Sequence, residues 1–360
     1  MQEATLSLSD FPPFGARQTR LLQRLTEAVA VSSDEGAVRK IVLEHVRPLA
    51  DEVRVDALGN VLASKRGTAS RRLRVMVAAH MDEIGFMLTH DEGKGLFRFG
   101  KVGGIDTRNI LGKAVWVGPE RIPGVIGMTP IHLTTRESRQ RVPELDTLRI
   151  DVGPENAGKV KPGMRATFAT PFTRTGASIR AKALDDRFGV ALLIELLRHA
   201  PENIDLLAAF TVQEEVGLRG AKVAAFALEP DLAFALDCTH ALDLPTDDGE
   251  PNTRYNTRLG HGPAIYIADR ATLSDPRLIQ HLVETAEAEG LPYQFRQAGG
   301  GATDAGVIHK QRGGIPTVSV STPARYLHSP ASIARIDDWK HTFYLVLAAL
   351  RRLTPEVVRG

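Results

Sequence analysis

The 360-residue chain has a single cysteine, Cys238. That excludes an intramolecular disulfide framework and leaves too few thiolates for a cysteine-built structural zinc site. A lone thiol fits a reducing compartment, so the expected location is cytoplasmic. No run approaches about 18 consecutive apolar residues, and no membrane span is expected. The first 31 residues contain no basic stretch followed by an apolar one, which reads against a secretory signal. A net charge of +2 gives no electrostatic signature of a nucleic-acid binder. Pairs such as Arg71-Arg72 and Arg351-Arg352 read as solvated faces. There is neither an internal repeat nor a low-complexity tract. What remains is an ordinary globular composition, 43% hydrophobic and 24% charged, long enough for two domains.

The organisation follows from periodicity. Residues 14–31 and 35–49 carry apolar side chains at helical spacing, Ala57-Leu58-Gly59 marks a hairpin turn, and 73–79 is an apolar run of the central-strand kind. Beyond about residue 89 the texture changes to short β-prone pieces broken by glycine and proline, up to about residue 173. Residues 134–142, polar and charge-rich, are the candidate mobile loop there. From residue 179 strands and helices alternate: helices over 186–199, 220–228, 278–289, 304–311 and 337–353, strands over 206–212, 232–236 and 317–320. The pattern predicts an α/β fold, a mostly parallel sheet with helices on both faces, with a small β-barrel domain inserted. The expected division is 1–89 plus 174–360 for the α/β domain and 90–173 for the insertion.

Five short stretches each bring a metal-ligating or proton-transferring side chain to the end of an apolar run or the start of a helix. They are Ala79-His80-Met81-Asp82, Leu184-Asp185-Asp186-Arg187, Gln213-Glu214-Glu215-Val216-Gly217, Leu236-Asp237-Cys238 and Tyr326-Leu327-His328-Ser329-Pro330. Open α/β sheets hold their chemistry at the carboxyl ends of strands, and the set makes a complete site for a two-metal hydrolase. Two ions about 3.5–4 Å apart need a shared carboxylate or hydroxide. Mixed histidine and carboxylate ligation suits Zn²⁺, Co²⁺ or Mn²⁺.

Each stretch has its own logic. Asp82, two residues after His80, can hydrogen-bond the second imidazole nitrogen and fix its tautomer. Of Asp185 and Asp186, one can cap the following helix while the other bridges. Glu214 and Glu215 are costly to desolvate side by side without a cation. Successive strand-end side chains diverge, so one can bind metal while the other serves as general base. Asp237 is costly at a strand end without a partner, and Cys238 beside it reads as a small buried filler. His328 lies in a loop punctuated by Pro323 and Pro330. The stretch Gly299-Gly300-Gly301-Ala302-Thr303-Asp304 lacks a P-loop ending and reads as a tight turn that leaves Thr303 and Asp304 near the site. Among the other histidines, His132 and His240 stay in view, His132 because the insertion can reach a neighbouring subunit's site. Arg187 and Arg325 are the near-site guanidinium candidates for clamping a substrate carboxylate.

Over nearly its whole length the chain resembles metallopeptidase family 42, the tetrahedral aminopeptidases, which include glutamyl and leucyl aminopeptidases. The resemblance rests on His80-Met81-Asp82-Glu83-Ile84-Gly85-Phe86, Val102-Gly103-Gly104-Ile105-Asp106, Gly124-Val125-Ile126-Gly127, Ile150-Asp151-Val152-Gly153, Lys182-Ala183-Leu184-Asp185-Asp186-Arg187, Gln213-Glu214-Glu215-Val216-Gly217, Thr303-Asp304-Ala305 and Arg325-Tyr326-Leu327-His328-Ser329-Pro330. It implies a zinc-peptidase-like catalytic domain and two divalent metal ions per subunit. Asp185 would bridge them, His80 and Asp237 would complete one shell, and Glu215 and His328 the other. Glu214 would deprotonate the bridging water and protonate the leaving amine, with Asp82 orienting His80. The inserted domain would carry dimer contacts, and dimers would assemble into a twelve-subunit tetrahedron.

The expectation is therefore an aminopeptidase acting on peptides with a free N-terminus, one metal binding the α-amine. The alternatives are a metal-dependent deacylase or carboxypeptidase of the same superfamily, or a non-catalytic assembly protein. Intact Glu214 argues against the last, because a scaffold has no use for a second buried carboxylate. The family has also been labelled endoglucanase, but a glycosidase needs two carboxylates across a sugar and no metal shell.

Overall fold

Residues 11–358, apart from 251, 254, 255 and 298, are described by a computed structural model. The apolar run at 73–79 becomes the strand Leu73–His80, along which only Arg74 is exposed. It lies between Ile204–Thr211 and Leu232–His240, both parallel to it, and Leu232–His240 continues in parallel to Thr317–Arg325. These four strands form the centre of an eleven-stranded sheet. Their near-continuous hydrophobicity follows from burial on both faces. Val75, Val77 and Ala79 enter one core with Phe188, Trp339 and Phe343, while Met76 and Ala78 enter the other with Ala221, Ala225 and Ile308. Strand pleating accounts for the alternation.

Parallel pairing dominates only that centre. On one side Val61–Lys65 runs antiparallel to Ile204–Thr211 and forms a hairpin with Glu52–Val55. Its turn is held by Asp56, whose carboxylate accepts from the amides of Leu58, Gly59 and Asn60 at 2.9–3.0 Å. On the other side Ser332–Arg335, Ser178–Ala181 and Thr173–Thr175 follow in antiparallel order. Helices Ala16–Glu27, Leu184–Arg198 and Ile336–Arg352 cover one face, with Arg219–Leu228 and the short Ala305–Ile308 on the other.

The glycine- and proline-broken segment closes into a six-stranded barrel of Gly85–Asp91, Leu96–Val102, Arg149–Asp151, Ile122–Gly127, Ala114–Val117 and Arg165–Phe168. Closure removes the unpaired edges such short strands would otherwise expose. Phe86 fills the barrel, edge-on to Phe99 and Phe168 at 5.2 and 5.3 Å. Gly85 starts the first strand where backbones nearly touch: a Cβ there would lie 2.6 Å from the carbonyl oxygen of Ala166. Within 134–142 the chain makes one helical turn, Arg136–Arg139.

A buried ionic cluster joins the two parts behind the strand ends. Glu83 accepts from Lys182 Nζ at 2.8 Å to each oxygen, from Thr167 Oγ1 at 2.8 Å and from the amide of Ala30 at 3.0 Å. Lys182 also donates to the carbonyl of Ala28 at 2.9 Å. Arg187, fully buried, donates to the carbonyls of Leu25, Met81 and Asp82 and stands 3.5 Å from Glu83. Buried charges persist only when so partnered.

Candidate active site

Parallel register brings the chemistry together. His80 pairs with Thr211, and Asp237 with Ser321. The residues that follow each strand therefore emerge at one sheet edge. Three of the turns carrying them adopt left-handed backbone at non-glycine residues, Ala183 (φ 52°), Gln213 (φ 56°) and His328 (φ 56°). Each such residue costs about 1–2 kcal/mol, and strain of this kind gathers at functional sites.

The Asp185-Asp186 pair divides its labour. Asp186 turns inward, accepting from the amide of Gly189 at 2.9 Å as a helix cap and from the amide of His80 at 3.3 Å. Asp185 faces the site. One of its oxygens lies 3.1 Å from His80 Nε2, and the other 3.6 Å from His328 Nε2. Asp237 Oδ1 is 3.9 Å from His80 Nε2, and Glu215 Oε2 is 3.4 Å from His328 Nε2. His328 Nδ1 donates to the carbonyl of Gly104 at 3.0 Å, which leaves Nε2 free to ligate. A Cβ on Gly104 would press on that ring, 3.2 Å from Nδ1.

Two groups of donors result, His80 with Asp185 and Asp237, and Asp185 with Glu215 and His328, each with its ligand atoms within 4.8 Å of one another. Asp185 belongs to both. Asp82, fully buried, lies behind them. It accepts from Ser32 Oγ at 2.6 Å and from the amides of Glu214 and Glu215 at 3.0 and 3.2 Å, with His80 Nδ1 at 3.5 Å. Glu214 lines the same cavity as Asp185, Asp237 and His328.

The electrostatics call for cations. Burial pushes the carboxyl of Glu214 well up, against the pull of His80 and with Glu215 and Asp304 adding to it. Burial raises Asp237 likewise, reinforced by Asp185 and Asp186. Glu215 is pushed up to about 7 and Asp304 to about 6, chiefly by burial. Asp185 is held well below the usual range, because the two imidazoles outweigh its burial. His328 rises to about 9, the attraction of Glu215 and Asp185 overcoming burial. Protein groups alone thus keep this many acids together only by holding protons. Divalent ions would remove the conflict, and a mixed nitrogen and oxygen donor set fits them. Asp304 Oδ1 is buried without a hydrogen-bond partner among the described residues, a further sign that the protein groups by themselves do not satisfy the site.

Other sequence candidates fall outside this set. Cys238 donates its thiol to the carbonyl of Leu184 at 3.2 Å, and burial raises its pKa, which disfavours the thiolate a nucleophile needs. His132 is exposed on the barrel turn Ile131–Leu133. His240 does reach the cavity, its ring 6.2 Å from that of His328. Neither expected guanidinium is available, since Arg187 is sealed in the Glu83 cluster and Arg325 pairs with Asp243 at 2.6 Å. The cavity's arginine is Arg296. Only its place just before the Gly299–Gly301 turn, itself read as near the site, could have pointed to it.

A family model described as M42 glutamyl aminopeptidase matches residues 59–345. A glutamyl aminopeptidase of Lactococcus lactis subsp. cremoris is 33% identical over 351 residues, 94% of this chain and 97% of the relative. A lysyl aminopeptidase of Pyrococcus furiosus is 34% identical over 351 residues, 93% of this chain and 97% of the relative. The solved TET1 peptidase of Pyrococcus horikoshii, described as able to assemble into a tetrahedron or a large octahedral shell, superposes with a TM-score of 0.81 at 33% identity, covering 93% of this chain and 100% of that one.

Proposed function

The chain belongs to the M42 glutamyl aminopeptidase family and is a metal-dependent peptide hydrolase; from that premise we propose that it is a two-metal aminopeptidase in which Glu214 is the general acid and base. The observation that carries the reading is the sharing of Asp185 between two donor triads. His80 and Asp237 would complete one cation's shell, and Glu215 and His328 the other's. Zn²⁺ and Co²⁺ suit these donors best, with Mn²⁺ also compatible. Such ions, when bound, polarise the scissile carbonyl and lower the pKa of the attacking water.

The chain's own residues do the rest. Glu214, on the cavity wall, takes a proton from the attacking water. The peptide C–N bond then breaks, and Glu214 returns that proton to the departing amine. Among the described residues its carboxyl has no hydrogen-bond partner, which leaves it free to move a proton. Asp82 holds the backbone on which Glu214 and Glu215 are carried, and its carboxylate, 3.5 Å from His80 Nδ1, favours the tautomer that offers Nε2 to the site.

The exposed apolar surface of the barrel supports self-association. Ile131, 70% exposed, lines a surface hollow of about 550 Å³ with Val125 and Met128, and Leu133, two residues on, is 68% exposed. Patches of this kind mark interfaces. We therefore read residues 90–173 as a dimerisation domain, with dimers building a closed twelve-subunit shell. Light scattering after size exclusion measures the assembly directly.

The activity test is a panel of aminoacyl amides, unblocked and N-acetylated, after metal stripping and restoration. Metal-dependent cleavage of the unblocked set alone is expected, and cleavage of the acetylated set would favour a deacylase. Glu214→Gln is expected to retain its metals but lose about 10²–10⁴-fold in kcat. Near-wild-type turnover in that variant would sink the assigned role.

A further inference from the structure

Arg296 ends the strand Gln294–Arg296 and lines the candidate active-site cavity, yet only 6% of it is exposed. Its Nη1 donates to the carbonyl of Ala268 at 3.2 Å and its Nη2 to that of Gly300, while the guanidinium lies 4.6 Å from the centroid of the Tyr266 ring. Among the described residues Nε has no hydrogen-bond partner and no carboxylate pairs with the group. Two neutral carbonyls and a ring face orient this charge without neutralising it. A buried guanidinium is expensive unless something completes it, and this one stands at the wall of a reaction cavity.

Among the groups around the cavity, Asp185 and Asp237 gather with His80 at the proposed metal centre, whereas Arg296 lies over the Tyr266 ring and against the carbonyl of Gly300 in the acid-free turn Gly300-Gly301-Ala302. The free volume, about 140 Å³, is below the roughly 300–1,000 Å³ of pockets for drug-sized ligands. It suits one amino-acid side chain.

We propose that Arg296 selects the first residue of the substrate, its guanidinium donating to the side-chain carboxylate of an N-terminal glutamate or aspartate. The inference rests on the aminopeptidase reading above and goes further by naming the substrate class. The opposing possibility is that the cavity's acids draw in a basic side chain. Those acids are matched by two imidazoles and the ions they would hold, while no carboxylate among the described residues pairs with Arg296. A lysine beside it would add a second buried cation, and like charges in a desolvated site repel strongly.

The test compares kcat/KM of the metal-loaded enzyme for unblocked glutamyl, glutaminyl, leucyl and lysyl p-nitroanilides. Glutaminyl has the shape of glutamyl without its charge. The expected result is a glutamyl preference over glutaminyl of about 10–100-fold, the worth of a charge-assisted hydrogen bond. In Arg296→Met that ratio should collapse towards one, and in Arg296→Glu the lysyl substrate should overtake the glutamyl one. Equal wild-type rates for glutamyl and glutaminyl, or an equal loss on all four substrates in Arg296→Met, would overturn the role of Arg296 and leave the aminopeptidase intact. Failure to cleave any unblocked amide would overturn both. If N-acetyl dipeptides with a free C-terminus are cleaved instead and Arg296→Met abolishes it, the guanidinium serves a carboxypeptidase and the proposal fails. Should the variants not fold, competitive inhibition of the wild type by free glutamate against glutamine decides, and equal inhibition constants would refute the proposal.

Discussion

Asp82→Asn is the most informative single change, because Asp82 touches no substrate yet underlies both halves of the site. Its carboxylate accepts from Ser32 Oγ and from the amides of both Glu214 and Glu215, and it stands 3.5 Å from His80 Nδ1. Asparagine keeps the shape but has only one acceptor oxygen. Whichever way its amide is turned, an NH₂ group confronts the backbone N–H of Glu214 or of Glu215, and that buried donor goes unsatisfied. The cost is about 1–3 kcal/mol of stability, on the order of 5 °C in apparent melting temperature. The proposed ligand His80 also loses its anionic neighbour, a kind of change that costs about 10–100-fold in metal affinity or activity. One effect runs the other way: Asp82 helps to raise Glu214 and Glu215, so a neutral residue relieves some repulsion there. That relief is one of the smaller influences on either glutamate and does not restore a lost acceptor. The assays are chelator competition for metal affinity, kcat/KM on the preferred amide and thermal unfolding with metal in excess. Metal affinity and kcat/KM both within about threefold of wild type would refute the argument, because a fully buried acceptor for the amides that carry Glu214 and Glu215 cannot be silent.

Two further outcomes follow from charges elsewhere. Lys182→Met leaves Glu83 with Arg187, at 3.5 Å, as its one paired cation among the described residues, and should destabilise by about 3–5 kcal/mol in denaturant unfolding. Adding Glu83→Gln should recover part of that loss, whereas strictly additive effects would show that the cluster is not a coupled unit. On the barrel, hydrogen bonds from Arg149 and Arg98 hold exposed Glu92 down to about 2. Because the folded value is depressed, its contribution is present above the ordinary carboxylate range and fades as pH falls through about 2. Glu92→Gln should therefore be slightly less stable than wild type at neutral pH and equal to it at the acid extreme, as followed by acid titration of unfolding. A constant difference would refute the assignment.

Much of this site was legible one residue at a time. A histidine at the end of an apolar run, two adjacent acids before a helix and two more after a strand carry their chemistry in local order, since strand ends and helix caps are short-range features. The glycine- and proline-broken texture of the middle segment likewise announced short strands. The split between Asp185 and Asp186 was legible as a choice, and the fold made it by giving Asp186 the amides of Gly189 and His80.

What the tertiary structure alone decided depends on pairing across the chain. Register between Leu73–His80 and Ile204–Thr211 sets Asp82 beneath the amides of Glu214 and Glu215, more than 130 residues away. Barrel closure delivers Gly104 to His328. A strand near residue 296 carries into the cavity an arginine that nothing local distinguishes, while Arg187 and Arg325, closer in sequence to the ligands, are consumed by Glu83 and Asp243. Residue type and spacing specify which groups can do chemistry. Whether a charge is spent on a neighbour or left for a substrate is settled only when distant strands come into register.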